Sequence, residues 1–369
     1  MSKRRRIPSL PPDAAEKLLK DQKLQELFEL SQLSTEAYDL VKNAILLNGV
    51  QGEFDVRFGM TTTVVLHLRG TGLGWVFYGN RNQERFKLEN FGKKTWKLNN
   101  DIDGTTMCIE YCQVSEYDYE CKLNSMEEVL KLIEYISDLF NASNRSLEFD
   151  ERGYDYTPEH SSSKLEYLEA IQSTEVLKKC RKLSINGGTV SHDEMRRLLD
   201  GWTEGVKRMR IWCHPEPNFQ YDRIISVPSL CIFGGTWFKG PMLLKLDCRE
   251  VIVVTWILAN EDINTWLHQW VSSSCKKLER LDIYIQFADM EFRNFYEDTW
   301  RCREVMEEQA LVMDKITDGL SDYAINEPDL YERKFRRETD GRMIQANISE
   351  SFFQSPSQFN YFINFTCSD

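Results

Sequence analysis

Residues 242–287 read MLLKLDCREVIVVTWILANEDINTWLHQWVSSSCKKLERLDIYIQF, and this stretch decides the fold. Val251-Ile252-Val253-Val254 is a β-branched run bounded by charge, the composition of a buried strand. Asn260 stands where a helix would be capped, and Glu261 and Asp262 follow in the first turn, where carboxylates suit the helix dipole. Ile263, Trp266, Leu267 and Trp270 then recur at i, i+3, i+4 and i+7, which makes one apolar helix face. Ser272-Ser273-Ser274 breaks that helix, and Leu278, Leu281, Ile283 and Ile285 begin a second strand. Strand, helix, strand is the unit of a right-handed parallel α/β array.

Working upstream, the unit recurs. Ser191-His192-Asp193-Glu194 predicts a helix start, and Met195, Leu198, Leu199 and Trp202 repeat the i, i+3, i+4, i+7 pattern before a strand at Met209 and Ile211. A fainter copy has Ser125 as cap and Glu128 closing a capping box. Its apolar face is Val129, Leu132, Ile133 and Ile136, and the strand Leu147-Glu148-Phe149 follows. Strands expected near 147, 183, 209, 230, 251 and 281 suggest an irregular leucine-rich-repeat-like α/β stack, with one ordinary α/β domain as the alternative.

The flanks read differently. Residues 50–121 are β-rich, and Gly70-x-Gly72-x-Gly74 lies between Thr61–Leu68 and Trp75-Val76-Phe77-Tyr78. A phosphate-binding loop needs a helix after its glycines; a strand follows here, so the cluster reads as a hairpin turn. Glu151–Ser163 is polar and irregular and reads as a loop. Val305, Met306, Ala310, Met313 and Ile316 mark a late helix ended by Gly319, and Phe335–Ile348 reads as a hairpin turning at Asp340-Gly341.

Composition excludes several classes. A hydrophobic content of 41% is enough for real cores, so the chain is not disordered as a whole. A formal net charge of -12 argues against a broad nucleic-acid surface. No apolar run approaches a membrane span and no signal peptide is evident, which places the chain in the cytoplasm, and in the nucleus if Lys3-Arg4-Arg5-Arg6 serves as an import signal. The ten cysteines are then expected as free thiols.

Chemistry-bearing patterns are missing. None of the five histidines lies at ligand spacing from another, and Cys-x-x-Cys does not occur. His214-Pro215-Glu216 has the His-x-Glu of zinc deaminases without their Pro-Cys-x-x-Cys partner. Gly-x-Ser-x-Gly, His-Glu-x-x-His and a Walker loop are also missing, so no catalytic, cofactor or metal residue is assigned. Trp202, Trp266 and Trp270 go to the core by register. That leaves Trp237 and Phe238, after Gly234-Gly235, as loop aromatics expected on the surface and candidates to touch a target.

Near the N-terminus, Leu10-Pro11-Pro12 leads into Leu18-Leu19. A second short helix is expected at Leu24, Leu27, Phe28 and Leu30, and a third at Tyr38, Leu40, Val41 and Ala44. With Glu26-Leu27-Phe28-Glu29-Leu30-Ser31 and Leu40-Val41-Lys42, this segment resembles a nematode-type F-box. Leu246-Asp247-Cys248, Asn260-Glu261-Asp262-Ile263-Asn264, Trp270 and Leu278-Glu279-Arg280-Leu281 resemble the F-box-associated domain of type 2, and Asp340-Gly341 resembles the centre of its C-terminal Arg-x-x-Asp-Gly element. The resemblance implies an F-box over 1–49 with a basic tail over 1–6, a β-rich start of the associated region over 50–121, and the α/β associated domain over 122–369.

It also implies a non-catalytic substrate-recognition subunit of a cullin-based SCF-type ubiquitin ligase. A Skp-type adaptor would be held through Leu10, Pro11, Leu18, Leu27, Phe28 and Leu30, linking the cullin to an unknown protein target. Asp21 and Gln22 stand where that family carries large apolar residues. The alternative of a sequestering scaffold that no longer binds the adaptor starts from them, and a hydrolase with an unrecognised site is the reading from the enzyme class.

Overall fold

The computed structural model describes residues 24–59, 61–68, 74–80, 94–99, 106–113, 118–122, 125–150, 164–202, 205–233, 237–255, 258–272, 277–286, 313–320, 324, 332–337, 339–351 and 360–368. The chain divides into two compact units, Met1–Ser184 and Ile185–Asp369. The first helix expected for the F-box, the glycine turn at 70–73, the loop at 151–163 and residues 305–312 of the late helix lie outside the described residues.

In the first unit, α1 (Leu24–Ser31) and α2 (Thr35–Leu47) form a helical hairpin. Ser34 stops one helix and starts the next, its side chain accepting from the Ala37 amide at 3.1 Å. Strands β1 (Gly52–Phe58), β2 (Thr61–Leu68) and β3 (Gly74–Asn80) form an antiparallel meander. β4 (Lys94–Asn99), β5 (Thr106–Gln113) and β6 (Asp118–Lys122) form another, joined to β3 through the parallel strand β6. β2 and β3 pair antiparallel on either side of the glycine stretch at 70–73, with Leu66 opposite Trp75 and Val64 opposite Phe77. Helix α3 (Met126–Leu139) leads into β7 (Ser143–Asp150), which pairs in parallel with β1. That pairing ties α3 and β7 to the β-rich segment within the first unit. Helices α4 (Lys164–Ser173) and α5 (Glu175–Lys178) follow.

Ser125 caps α3 by accepting from the Glu128 amide at 3.2 Å, and Val129, Leu132, Ile133 and Ile136 are buried as their spacing predicts. The α1–α2 hairpin is bound into this unit. The Phe28 ring packs edge-on against Tyr135 of α3 at 5.8 Å, stacks on Phe140 at 6.5 Å and lies 6.0 Å from Phe77 of β3. Tyr38 donates to Asp138 at 2.5 Å and Lys42 donates to the same carboxylate at 2.6 Å. Burial alone would push the Asp138 carboxyl up, yet Lys42 and Tyr38 hold it below the usual carboxylate range.

In the second unit, strand order runs β13-β14-β15-β12-β11-β10-β9-β8. The strands are β8 (Lys182–Val190, in which the division falls), β9 (Arg208–Pro215), β10 (Ser229–Phe233), β11 (Glu250–Thr255), β12 (Arg280–Gln286), β13 (Glu332–Arg336), β14 (Met343–Ser351) and β15 (Asn360–Ser368). β9, β10, β11 and β12 are parallel neighbours in chain order, the array expected from residues 242–287. β15, β14 and β13 extend it antiparallel.

The connections are uneven. α6 (His192–Asp200) precedes β9, residues 216–228 join β9 to β10 without a helix, α7 (Gly240–Leu243) is one turn, and α8 (Asn260–Ser272) precedes β12. The fold is thus a mixed α/β sheet with unequal crossovers between its parallel strands.

Register lays the core in rows. Met209, Leu230, Val251, Leu281, Phe365 and Ala346 lie side by side, and so do Ile232, Val253, Ile283, Ile363 and Ile348; all are buried. Helix α8 covers this floor, with Trp266 packed edge-on against Phe365 at 5.0 Å. Asn260 is the first residue of α8 rather than its cap. The Asp262 carboxylate accepts from the Ala259 amide at 3.0 Å, so the helix starts one residue earlier than its Asn suggests. A Cβ on Gly240 would lie 2.8 Å from that of Asp262, so glycine is what lets α7 approach the start of α8.

The C-terminal hairpin closes on α8 as well. After β13, Arg337 donates to Asp340 through Nε at 2.8 Å and a terminal nitrogen at 2.6 Å, and Gly341 takes a φ of 75°. The Arg337 guanidinium, fully buried, lies 4.7 Å from the centre of the Trp270 ring. This is the physical content of the Arg-x-x-Asp-Gly pattern: the aspartate holds the guanidinium, the glycine permits the turn, and the cation lies against the tryptophan. The hydrogen bonds from Arg337 hold the Asp340 carboxyl down at about 2.

Replacing Trp270 by alanine leaves a void under Arg337 and should lower the unfolding free energy by about 3–5 kcal/mol in urea titrations. An unchanged midpoint would mean that the ring does not pack as described. Asp340 has a folded pKa of about 2, below its unfolded value of about 4. Its contribution to stability is therefore complete above pH about 4 and is lost as pH falls toward about 2. The melting temperatures of the wild type and D340N should differ at neutral pH and converge in acid; a constant difference would count against the pair.

Candidate functional site

The second unit's sheet has a second face. Strand β9 alternates strictly: Met209, Ile211 and Cys213 are buried, while Arg208, Arg210, Trp212 and His214 are exposed. Register carries this outer face across the sheet. Arg208, Ser229, Glu250 and Arg280 make one row. Arg210, Cys231, Ile252, Asp282 and Asn364 make the next. Phe233, Val254 and Tyr284 make a third, with Trp212 at 5.7 Å from Phe233. Cys231, Phe233, Ile252, Val254 and Tyr284 are half-buried, against complete burial of the floor residues behind them.

Polar groups on this face are organised around Asp282, which is 1% exposed. Arg280 donates to it from Nε at 3.0 Å, and Asn364 donates to the same oxygen. Burial pushes the Cys231 thiol up to about 11 and raises Tyr284, so both stay protonated at neutral pH. At the β9 end the Arg210 guanidinium lies 4.8 Å from the Phe233 ring and 5.6 Å from the Trp212 ring. Such a surface can bind a partner through stacked aromatics and cations, and it offers no activated nucleophile.

Other clusters were tested for chemistry. In the first unit Asp55 accepts from Arg145 Nε at 2.9 Å and from Ser146 at 2.5 Å, with His67 Nε2 at 3.1 Å. Burial would raise this carboxyl, but Arg145 and Ser146 keep it lowered. Ser146 gives its proton to the carboxylate instead of the imidazole, which is not the order that activates a serine. A cavity of about 60 Å³ beside Leu243, Trp266, Trp270 and Leu281 is far below the roughly 300 Å³ a small-molecule ligand needs. No group of three or more His, Cys, Asp or Glu side chains among the described residues could hold a metal ion.

The residues singled out from sequence scatter. Leu10, Pro11 and Leu18 lie outside the described residues. Leu27 and Phe28 are buried in the first unit and Leu30 is half-buried. The expectation that Trp237 and Phe238 are exposed is corrected: they are 3% and 0% exposed. Trp237 meets Phe219 edge-on at 5.6 Å and Phe238 at 5.9 Å, so the segment entering α7 turns inward and fills the core. Trp212 was missed, although the alternation Arg208-Met209-Arg210-Ile211-Trp212-Cys213 already puts it on the arginine side.

Comparison with known proteins bears on this same region. Over 298 residues the chain is 22% identical to the Skn-1 dependent zygotic transcript 15 protein of Caenorhabditis elegans, across 76% of this chain and 79% of that protein. No solved structure matches. Residues 218–283 match the family described as F-box associated, a segment that runs from before β10 through α7, β11 and α8 into β12.

Proposed function

We propose that the chain is a non-catalytic substrate-recognition subunit of an SCF-type ubiquitin ligase. The observation that carries this reading is the match of residues 218–283 to the F-box associated family, on a sheet whose second face presents aromatic and cationic groups. In this reading the N-terminal segment docks to a Skp-type adaptor, and through it to the cullin, using Leu10, Pro11, Leu18 and Leu30. The sheet holds a protein target, and the mechanism is proximity. A rigid receptor raises the effective concentration of the target's lysines near the conjugating enzyme. No helix among the described residues is long and apolar enough to cross a membrane. The working place in this reading is the cytoplasm, with nuclear entry through Lys3-Arg4-Arg5-Arg6.

One observation favours a second reading. Leu27 and Phe28, two of the six expected adaptor anchors, are committed to the core against Tyr135 and Phe140. A scaffold that sequesters its partner without the adaptor would look the same.

Pull-down with purified adaptor separates the two. Replacing Leu10 and Pro11 together by alanine removes an apolar anchor and a fixed entry geometry, so adaptor capture should collapse while the circular dichroism spectrum is unchanged. If the unmutated chain captures no adaptor at micromolar concentration, the ligase reading fails and the sequestering reading replaces it.

A further inference from the structure

Several of the exposed arginines in the second unit are already neutralised. Arg280 pairs with Asp282, Arg249 with Glu279 and Arg223 with Asp200. Arg208 and Arg210 have no carboxylate partner among the described residues, although both are exposed in a chain of net charge -12. The nearest acid in their rows, Glu250, stands two strands from Arg208 with Ser229 between them. Asp282 of the Arg210 row is engaged by Arg280 and Asn364. What sets Arg208 and Arg210 apart is that they are alternate residues on one exposed strand face with no carboxylate partner among the described residues.

Their spacing is informative. Arg208, Arg210 and Trp212 are alternate residues of one strand, so they project from one face at intervals of about 7 Å. An extended peptide presents its own alternate side chains at the same interval. Arg210 is also held in place, because its guanidinium leans over Phe233 and Trp212. Trp212, 37% exposed, is one of the large apolar side chains left in contact with water.

We propose that the β9 end of the open face binds an extended, acidic peptide segment of a protein partner, in the order acidic, any, acidic, any, apolar. The two carboxylates meet Arg208 and Arg210, and the apolar side chain lies on Trp212 and Phe233. Charge complementarity selects this occupant over a basic peptide, and a pair of cations on a chain of charge -12 is too small a footprint for nucleic acid. Calling the occupant a ligase target rests on the function proposed above; the peptide chemistry itself does not.

The test is selection of a phage-displayed random dodecapeptide library on the full-length chain, repeated on R208E/R210E and on W212A, with adaptor capture measured on all three. Wild type should enrich acidic residues two apart beside a leucine or aromatic, and R208E/R210E should enrich basic residues instead. Against a selected peptide, each arginine-to-glutamine variant should weaken binding about tenfold, and the loss should shrink as salt is raised. If the charge-reversed protein does not fold, the glutamine variants carry the comparison. Selection without acidic bias, the same peptides on wild type and R208E/R210E, or a labelled oligothymidylate bound as tightly as the best peptide would each overturn the proposal. Adaptor capture should be the same in all three proteins, so a chain that binds acidic peptides and no adaptor would sink only the ligase reading.

Discussion

The second unit depends on burying one stripe of α8. Ile263, Trp266, Leu267 and Trp270 must leave water together, and a flat floor of parallel strands is the surface that accepts them. Two rows of that floor, those of Val251 and Val253, are apolar from β9 to β14 because each strand contributes residues of one parity. Neighbouring devices serve this contact. Gly240 lets α7 approach Asp262, and Asn264 and His268 donate to the carbonyls of Ile316 and Asp318, which holds the helical turn at 313–316 on α8. Arg337 then covers Trp270 with a planar cation, whose charge is balanced by Asp340.

A sheet that spends one face on a helix layer has the other free to carry function. On this face Cys231, Ile252, Val254 and Tyr284 are only half-buried, against complete burial of the floor residues behind them. Packing does not dictate residue type there. A tryptophan and two arginines on β9 without a carboxylate partner among the described residues therefore carry more functional information than the larger number of aromatics sealed in the core.

The N-terminal helices obey a different constraint. A hairpin of two short helices buries too little surface to stand alone. α1 and α2 find the missing surface on α3, β3 and Phe140, through Phe28, Tyr38 and Lys42. Ser31 accepts this arrangement too, since its hydroxyl lies 2.7 Å from that of Tyr135. Whatever docks at the N-terminus meets helices whose apolar sides are partly used.

Local signals were legible in the sequence wherever a periodicity runs through its own element. The stripes of α3, α6 and α8, the β-branched run of β11, the helix start at Ser191, and the turn at Asp340-Gly341 all follow from spacing and backbone chemistry. What spacing cannot carry is which side of an element meets which neighbour over long separations. Trp237 and Phe238 were read as surface because a loop gives no period, and only Phe219, brought in from another connection, decides that they are core. The same holds for the parallel pairing of β1 with β7 and for the guanidinium of Arg337 on Trp270. In each case the partners are far apart in the chain, and neither carries a local mark of the other. The sequence by itself determined the elements and their apolar faces; the tertiary structure alone decided which of those faces were filled, and against which partners.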